Sequence, residues 1–293
     1  MRVRKAVIPA AGLGTRLLPA SKSVPKEMIP IVDRPAIQYI VEECVRAGIR
    51  DILIVTGRGK ATMENHFDRS LELEERLEKS GKTDELEEVR AVAEMAEVHY
   101  VRQKEALGLG HAIGVARAHV GDEPFAVLLP DEIVPPPVGD EPRLLERMLE
   151  RHERDGASII AVRRVPPERV SAYGIVATEG EVQDDFVKVT DIVEKPAAAD
   201  APSDLAAVGR YILAPEVFDA IEGTGPSVGG EIQLADGMRK LVGPPGMYAY
   251  IHRGPIYDVG KKLDYVKGQV QLALRRDDVG PPLKAWLREL LDD

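Results

Sequence analysis

The chain has a single cysteine, Cys44, so no internal disulfide framework can form, which fits a reducing compartment. Its apolar runs fall far short of the ~20 residues that a membrane-crossing helix needs. Positive charge is not in excess: 39 Lys and Arg face 49 Asp and Glu, a formal charge of −10. General binding to nucleic acid or to an anionic membrane demands broad basic surface, so neither partner is expected. Aromatic residues make up only 4% of the chain, which leaves no aromatic–basic platform for stacking bases. The six histidines show no HExxH or similar zinc spacing. The opening MRVRKAVIPAAG passes straight into a strand and a polar loop, unlike a secretory leader, and the expected location is the cytoplasm.

What is present reads as α/β. Short β-branched runs at 5–10, 51–57, 97–103, 124–131 and 157–165 alternate with amphipathic stretches at 35–48, 111–119 and 142–156. Strand–helix–strand alternation at this spacing predicts βαβ units on a mainly parallel sheet flanked by helices. Pro35 and Gly48 bracket the first helix as a first-turn residue and a C-cap. Residues 70–96 are charge-dense with apolar residues at helical spacing, which predicts one or two inserted helices. Beyond 165 the texture turns β-rich, with strands expected at 172–178, 185–196, 205–214 and 247–252, and amphipathic helices close the chain.

One stretch stands apart, AAGLGTRLLPASKSVPKEM from Ala10 to Met28. Between Gly12 and Lys26 it carries three cations (Arg16, Lys22, Lys26) and no carboxylate, on an otherwise acidic chain. A glycine-rich turn after a strand points backbone N–H groups one way and lets phosphate oxygens approach closely. Leu17 stands where GxGxxG needs its third glycine, and no Gly-Lys-Ser/Thr follows, so neither the dinucleotide-binding fingerprint nor a P-loop is present. The bland alternative is a tight turn with a solvated arginine. Pro25, stiffening the backbone just before Lys26, favours a built anion site.

The run AAGLGTRLLPASKSVPKEMIPIVDRPAIQYIVEEC resembles the signature of the sugar-nucleotide pyrophosphorylases, most of all the branch that uses UTP and glucose 1-phosphate. The likeness continues in order through VRQKEALGLGHAI, LPDEIV, AYGIV, IVEKP, AVGRYIL, GGEIQLADG and YDVGKKLDY. It implies a Rossmann-like nucleotidyltransferase fold over 1–293 as one domain. In it, 1–165 would form the nucleotide-binding core, 166–260 the sugar-phosphate-binding part and 261–293 the C-terminal helices. The implied reaction joins UTP and α-D-glucose 1-phosphate into UDP-glucose and pyrophosphate. A homodimer or homotetramer is implied too. Two readings stay open beside it: a thymidylyltransferase acting on the same sugar phosphate, and a silent homologue that only binds nucleotide sugar.

The resemblance also assigns residues. Gly14, Thr15 and Arg16 are expected on the β- and γ-phosphates, Lys26 at the triphosphate and the attacked phosphorus, and Lys195 on the sugar phosphate. Gln103 has the donor and acceptor to match uracil, with Ala10, Ala11, Gly12 and Gly108 around the base. Glu194 and Glu231 are expected to accept glucose hydroxyls, with Gly174 and Gly209 leaving room for the ring. Asp131 and Asp258 are the expected Mg²⁺ ligands, since Mg²⁺ commonly takes one or two carboxylates plus phosphate oxygens and water. Many relatives have an aspartate where this chain has Glu132, which is therefore left out of the metal set. Cys44 reads as a small core residue, and His111 as structural.

Overall fold

The computed structural model describes residues 1–243 and 246–292 of the 293-residue chain, so Asp293, at the end of the expected last helix, lies outside the described residues. Its strands are β1 (Lys5–Ala10), β2 (Pro30–Ile31), β3 (Arg34–Pro35), β4 (Asp51–Thr56), β5 (Glu97–Arg102), β6 (Phe125–Leu128), β7 (Glu132–Ile133), β8 (Ser158–Arg164), β9 (Gly174–Gln183), β10 (Phe186–Glu194), β11 (Leu205–Leu213), β12 (Met247–Ile251) and β13 (Tyr257–Asp258). Nine of them form one sheet in the order β5-β4-β1-β6-β11-β8-β12-β10-β9. The first four are parallel, and β8 is parallel to β12. The remaining neighbours pair antiparallel, so the sheet is mixed rather than parallel throughout. The antiparallel pairs lie in the later half, where short turns such as Asp184–Asp185 replace helical crossovers.

The alternation along each strand explains why both faces are covered. Val7 points to one side of β1 and Ile8 to the other, and each is fully buried in a different apolar cluster. Strands covered on both faces read as continuous β-branched runs, as DILIVT does. Helix Ala36–Arg46 lays Ile37, Ile40, Val41 and Cys44 onto one face. Cys44 is fully buried and its thiol pKa is pushed up by desolvation, as a core role demands. The charge-dense insertion is two helices, Leu71–Lys79 and Thr83–Glu94. The helix expected across 111–119 is broken at Ala116 into Leu109–Val115 and Arg117–Val120. Trp286 lies on helix Gly280–Asp292 and is 54% exposed. Among the described residues no helix is long and apolar enough to cross a membrane.

Two short strands do most to place the site. β7 pairs antiparallel with β13, Asp258 opposite Glu132, and the Val259 N–H donates to the Asp131 carbonyl at 2.8 Å. Behind this ribbon lies Arg210 of β11, 1% exposed, its guanidinium forked onto Glu43 of helix Ala36–Arg46 at 2.8–3.1 Å. Its other N–H groups donate to the carbonyls of Leu129, Gly209 and Glu132. One buried side chain thus ties helix, sheet and ribbon together. Removing one partner of a buried pair strands the other charge and costs ~3–5 kcal/mol. Arg210→Met should therefore lower the urea midpoint strongly, and a midpoint near that of the parent chain would refute this role.

His252, just past β12, is 5% exposed. Desolvation, with Arg210 and Arg163 nearby, holds its pKa down at about 4. The folded pKa lies below the unfolded value, so between pH ~6.5 and ~4 the unfolded chain binds a proton that the folded chain does not. Stability falls as pH falls through that window, by about 3 kcal/mol for this group. Comparing His252→Gln with the parent by chemical unfolding from pH 7 to 4 should show a shallower loss in the variant.

Candidate active site

The loop after β1 is set by one buried lysine that the sequence reading passed over. Lys60, 7% exposed, donates its Nζ to the carbonyls of Ala10 (2.5 Å) and Gly12 (2.8 Å) and to Oε2 of Glu27 (2.9 Å). Those three acceptors use all three ammonium donors. Desolvation pulls the Lys60 pKa down while Glu27 opposes it. Glu27 itself is 1% exposed, so the pair clamps both ends of the loop from inside. No local pattern marks Lys60, because its partners lie 33 to 50 residues away.

Within the loop Gly14 adopts the left-handed region (φ 67°), just before the 3₁₀ turn Thr15–Leu17. A Cβ there would stand 3.0 Å from Cβ of Lys26, so glycine allows the two loop arms to touch. Ser21 Oγ closes the turn by donating to the Gly14 carbonyl at 2.7 Å. The far arm delivers Lys26, whose Nζ donates to Asp131 Oδ2 at 3.0 Å. Burial disfavours the Lys26 charge, but the Asp131 and Glu27 carboxylates outweigh it and hold its pKa above the ordinary value. Burial likewise opposes the Asp131 charge, and Lys26 overrides it, so the Asp131 pKa is held low. Exposed Arg16 stands on the same wall.

Asp131 and Asp258 converge. A Cβ built on Gly260 would lie 3.3 Å from Oδ2 of Asp131 and 3.3 Å from Oδ1 of Asp258. The Gly260 N–H donates to that Asp258 oxygen at 2.8 Å. Two carboxylates, oxygen-only, opening on a cleft that also holds Arg16 and Lys195, make a donor set suited to a hard divalent cation that shares phosphate oxygens. Glu132 is occupied otherwise: its Oε2 accepts the Gly209 N–H at 2.5 Å, and burial pushes its carboxyl pKa up.

Two adjoining clefts, of about 270 and about 300 Å³, meet at Asp131 and Glu231. The smaller is walled by Ala11, Gly12, Lys26, Gln103 and Gly108. Gln103 Nε2 donates to the Gly108 carbonyl (3.2 Å) and lies 2.9 Å from Nδ1 of His111, which fixes the amide and gives His111 a positioning role. Gly108 has φ 109°, and a Cβ there would fall 2.6 Å from the Ile232 carbonyl. This contact and the bonds Ile232 N–H to Leu107 O and Gly110 N–H to Ile232 O (both 2.8 Å) join the turn to the Glu231 loop. Ala10 sits fully buried behind the cleft with its carbonyl taken by Lys60, and Gly14 and Thr15 lie on the loop beside it.

The larger cleft gathers Arg16, Gly174, Glu194, Lys195, Gly209 and Asp258. Lys195 holds φ 46°, a strained value for a side-chain-bearing residue, and pairs with Glu194 at 2.9 Å. Gly174 and Gly209 both line this cleft, and a side chain at either would also meet protein. A Cβ on Gly174 would press on Glu194 Oε2 (3.1 Å), and one on Gly209 would fall 2.4 Å from Cβ of Leu129. Tyr173 and Tyr211, which the sequence reading did not single out, complete the wall.

A βαβ core, a cationic loop and paired carboxylates facing a second cleft define a class. The chain belongs to the nucleotidyl transferase family, whose model matches residues 5–274. It is similar to the UTP–glucose-1-phosphate uridylyltransferase YngB of Bacillus subtilis, 48% identical over 290 residues, covering 99% of this chain and 96% of that protein. A second UTP–glucose-1-phosphate uridylyltransferase of that organism is 47% identical over 294 residues, covering 99% and 98%. Among solved structures, UDP-glucose pyrophosphorylase from Acinetobacter baumannii superposes with a TM-score of 0.90 at 43% identity, over 98% of this chain and 99% of that one. A UDP-glucose pyrophosphorylase complexed with UDP-glucose gives 0.84 at 40%, over 94% and 100%.

If Lys60 sets the loop, Lys60→Met should lower turnover at least ~10-fold and also soften the loop, since a buried Glu27 left unpaired is costly. Amide hydrogen exchange over residues 10–28 should quicken in the variant. Unchanged exchange and turnover would remove Lys60 from this role.

Proposed function

We propose that the chain transfers the uridylyl group of UTP to α-D-glucose 1-phosphate, releasing pyrophosphate and forming UDP-glucose. The observation that carries this reading is a pair of clefts meeting at Asp131, with Lys26 on one side and Arg16, Lys195 and Asp258 on the other. Full-length similarity to uridylyltransferases supports it.

An oxygen of the sugar phosphate attacks the α-phosphorus of UTP. The new O–P bond forms as the bond to the bridging oxygen breaks, and that electron pair leaves on pyrophosphate. A phosphomonoester with a second pKa near ~6 is already mostly dianionic at neutral pH. No general base or enzyme nucleophile is therefore required. The obstacle is repulsion, about 4 kcal/mol per pair of unit charges 4 Å apart at an effective dielectric near 20. Catalysis is then positioning and charge neutralisation.

Lys26 is matched by Asp131, and Lys195 by Glu194. Phosphate groups arriving at the two lysines would replace these carboxylates. That exchange frees Asp131 for a cation and Glu194 for sugar hydroxyls. Arg16 neutralises the departing β- and γ-phosphates with the backbone of Gly14 and Thr15. Gln103 and Gly108 hold the base, helped by Ala11 and Gly12, while Glu231 with Glu194 reads the glucose. Asp131 and Asp258 would hold Mg²⁺, which supplies charge neutralisation at the triphosphate when bound.

The test is pyrophosphate release from purified protein with glucose 1-phosphate and each of UTP, dTTP, CTP, ATP and GTP. Release with UTP above all others, abolished by EDTA, is expected. Preference for dTTP, or no release with any nucleotide, would sink the proposal. Arg16→Ala should cut kcat by ~10²-fold or more, the scale of one lost transition-state contact. Its melting temperature should stay put, because the side chain is exposed.

A further inference from the structure

We infer a second metal site, for a divalent transition cation such as Zn²⁺, formed by Asp51, His99 and His119 at the edge of the sheet remote from the substrate cleft. The sequence gives no hint of it, since the three ligands come from three separate elements. Asp51 opens β4, His99 lies in β5, and His119 lies on the short helix Arg117–Val120. Both imidazoles aim Nε2 at the same carboxylate atom: His119 stands 2.8 Å and His99 3.8 Å from Oδ1 of Asp51. All three ligand atoms lie within 4.8 Å of one another. A tetrahedral zinc with bonds of ~2.0–2.1 Å sets its ligand atoms about 3.4 Å apart, so the two observed distances bracket what is needed.

The scaffold holds these groups in place before any cation arrives. Parallel pairing of β4 with β5 sets Leu53 beside His99 and Asp51 beside Glu97, which puts Glu97 on the same sheet face as His99. The backbone at His119 is pinned by Lys5, whose Nζ donates to the His119 and Val120 carbonyls at 3.1 and 3.0 Å. Lys5 brings a positive charge close by, and Glu123, 3.5 Å from it, balances that charge. Two imidazoles and one carboxylate suit zinc, copper or nickel better than Mg²⁺ or Ca²⁺, which prefer all-oxygen shells. The side chains are part-exposed, so a cation enters freely and water completes its shell. A cation here staples β4, β5 and the helix after Ala116, and its effect falls on stability rather than on turnover.

The experiment uses the full chain, stripped with EDTA and then given excess Mg²⁺ to fill the catalytic carboxylates, with Zn²⁺ titrated during thermal unfolding. Free Zn²⁺ about a hundredfold above Kd should raise Tm by roughly 5 °C. The double variant His99→Ala/His119→Ala should lose that rise. His119→Gln, which keeps a hydrogen-bonding group facing Asp51, serves if the alanine pair weakens the fold. Co²⁺ in place of Zn²⁺ should give the visible absorption of a low-coordinate site in the parent and not in the variants. No Tm rise in the parent, or an equal rise in the double variant, would overturn the site.

Discussion

A buried ammonium holds the cationic loop to the sheet. Lys60 gathers the end of β1, the Gly12 carbonyl and the Glu27 carboxylate around one charge. Both ends of the loop take their place from that anchor, while Leu17 and the Lys26–Asp131 pair fix points between them. Leu13, Thr15, Arg16 and Leu18 are all exposed. A loop fixed at both ends and open in the middle can turn its N–H groups and cations toward solvent, where a polyanion arrives, without spending buried polar groups of its own.

The charge balance around the cleft follows one scheme on both sides. Each of the two cleft lysines is paired with a carboxylate, Lys26 with Asp131 and Lys195 with Glu194. Free cations facing one another across a cleft would repel and would shift toward neutrality when desolvated. Pairing keeps them charged and ordered, as the raised pKa of Lys26 and the lowered pKa of Asp131 record. Arg210 works on the same principle one layer deeper, holding Glu43 and three carbonyls behind the β7–β13 ribbon.

Much of this was legible from residue order. The β-branched runs marked the nine sheet strands to within a few residues, and the cationic loop declared itself by its charge against an acidic chain. Asp131 and Asp258 were nameable from motif resemblance, but their convergence rests on two-residue strands too short for any periodicity to reveal. The break at Ala116 escaped because HAIGVARAH keeps helical spacing throughout. Gly174 and Gly209 line the cleft as expected, and their close approaches to Glu194 and Leu129 are a further constraint that residue order does not carry. Lys60 and the Asp51–His99–His119 group were invisible for one reason. Each depends on partners from other elements, and single-chain patterns report only on neighbours along the chain.

The hydrogen bonds between Leu107, Gly110 and Ile232 have a mechanical meaning. They sew the Gly108 turn to the Glu231 loop, with Gly108 packed closely against Ile232. The cleft therefore resembles a purse with one stitched edge. Opening along the seam would break both hydrogen bonds, so the two segments form a single wall rather than two independent flaps.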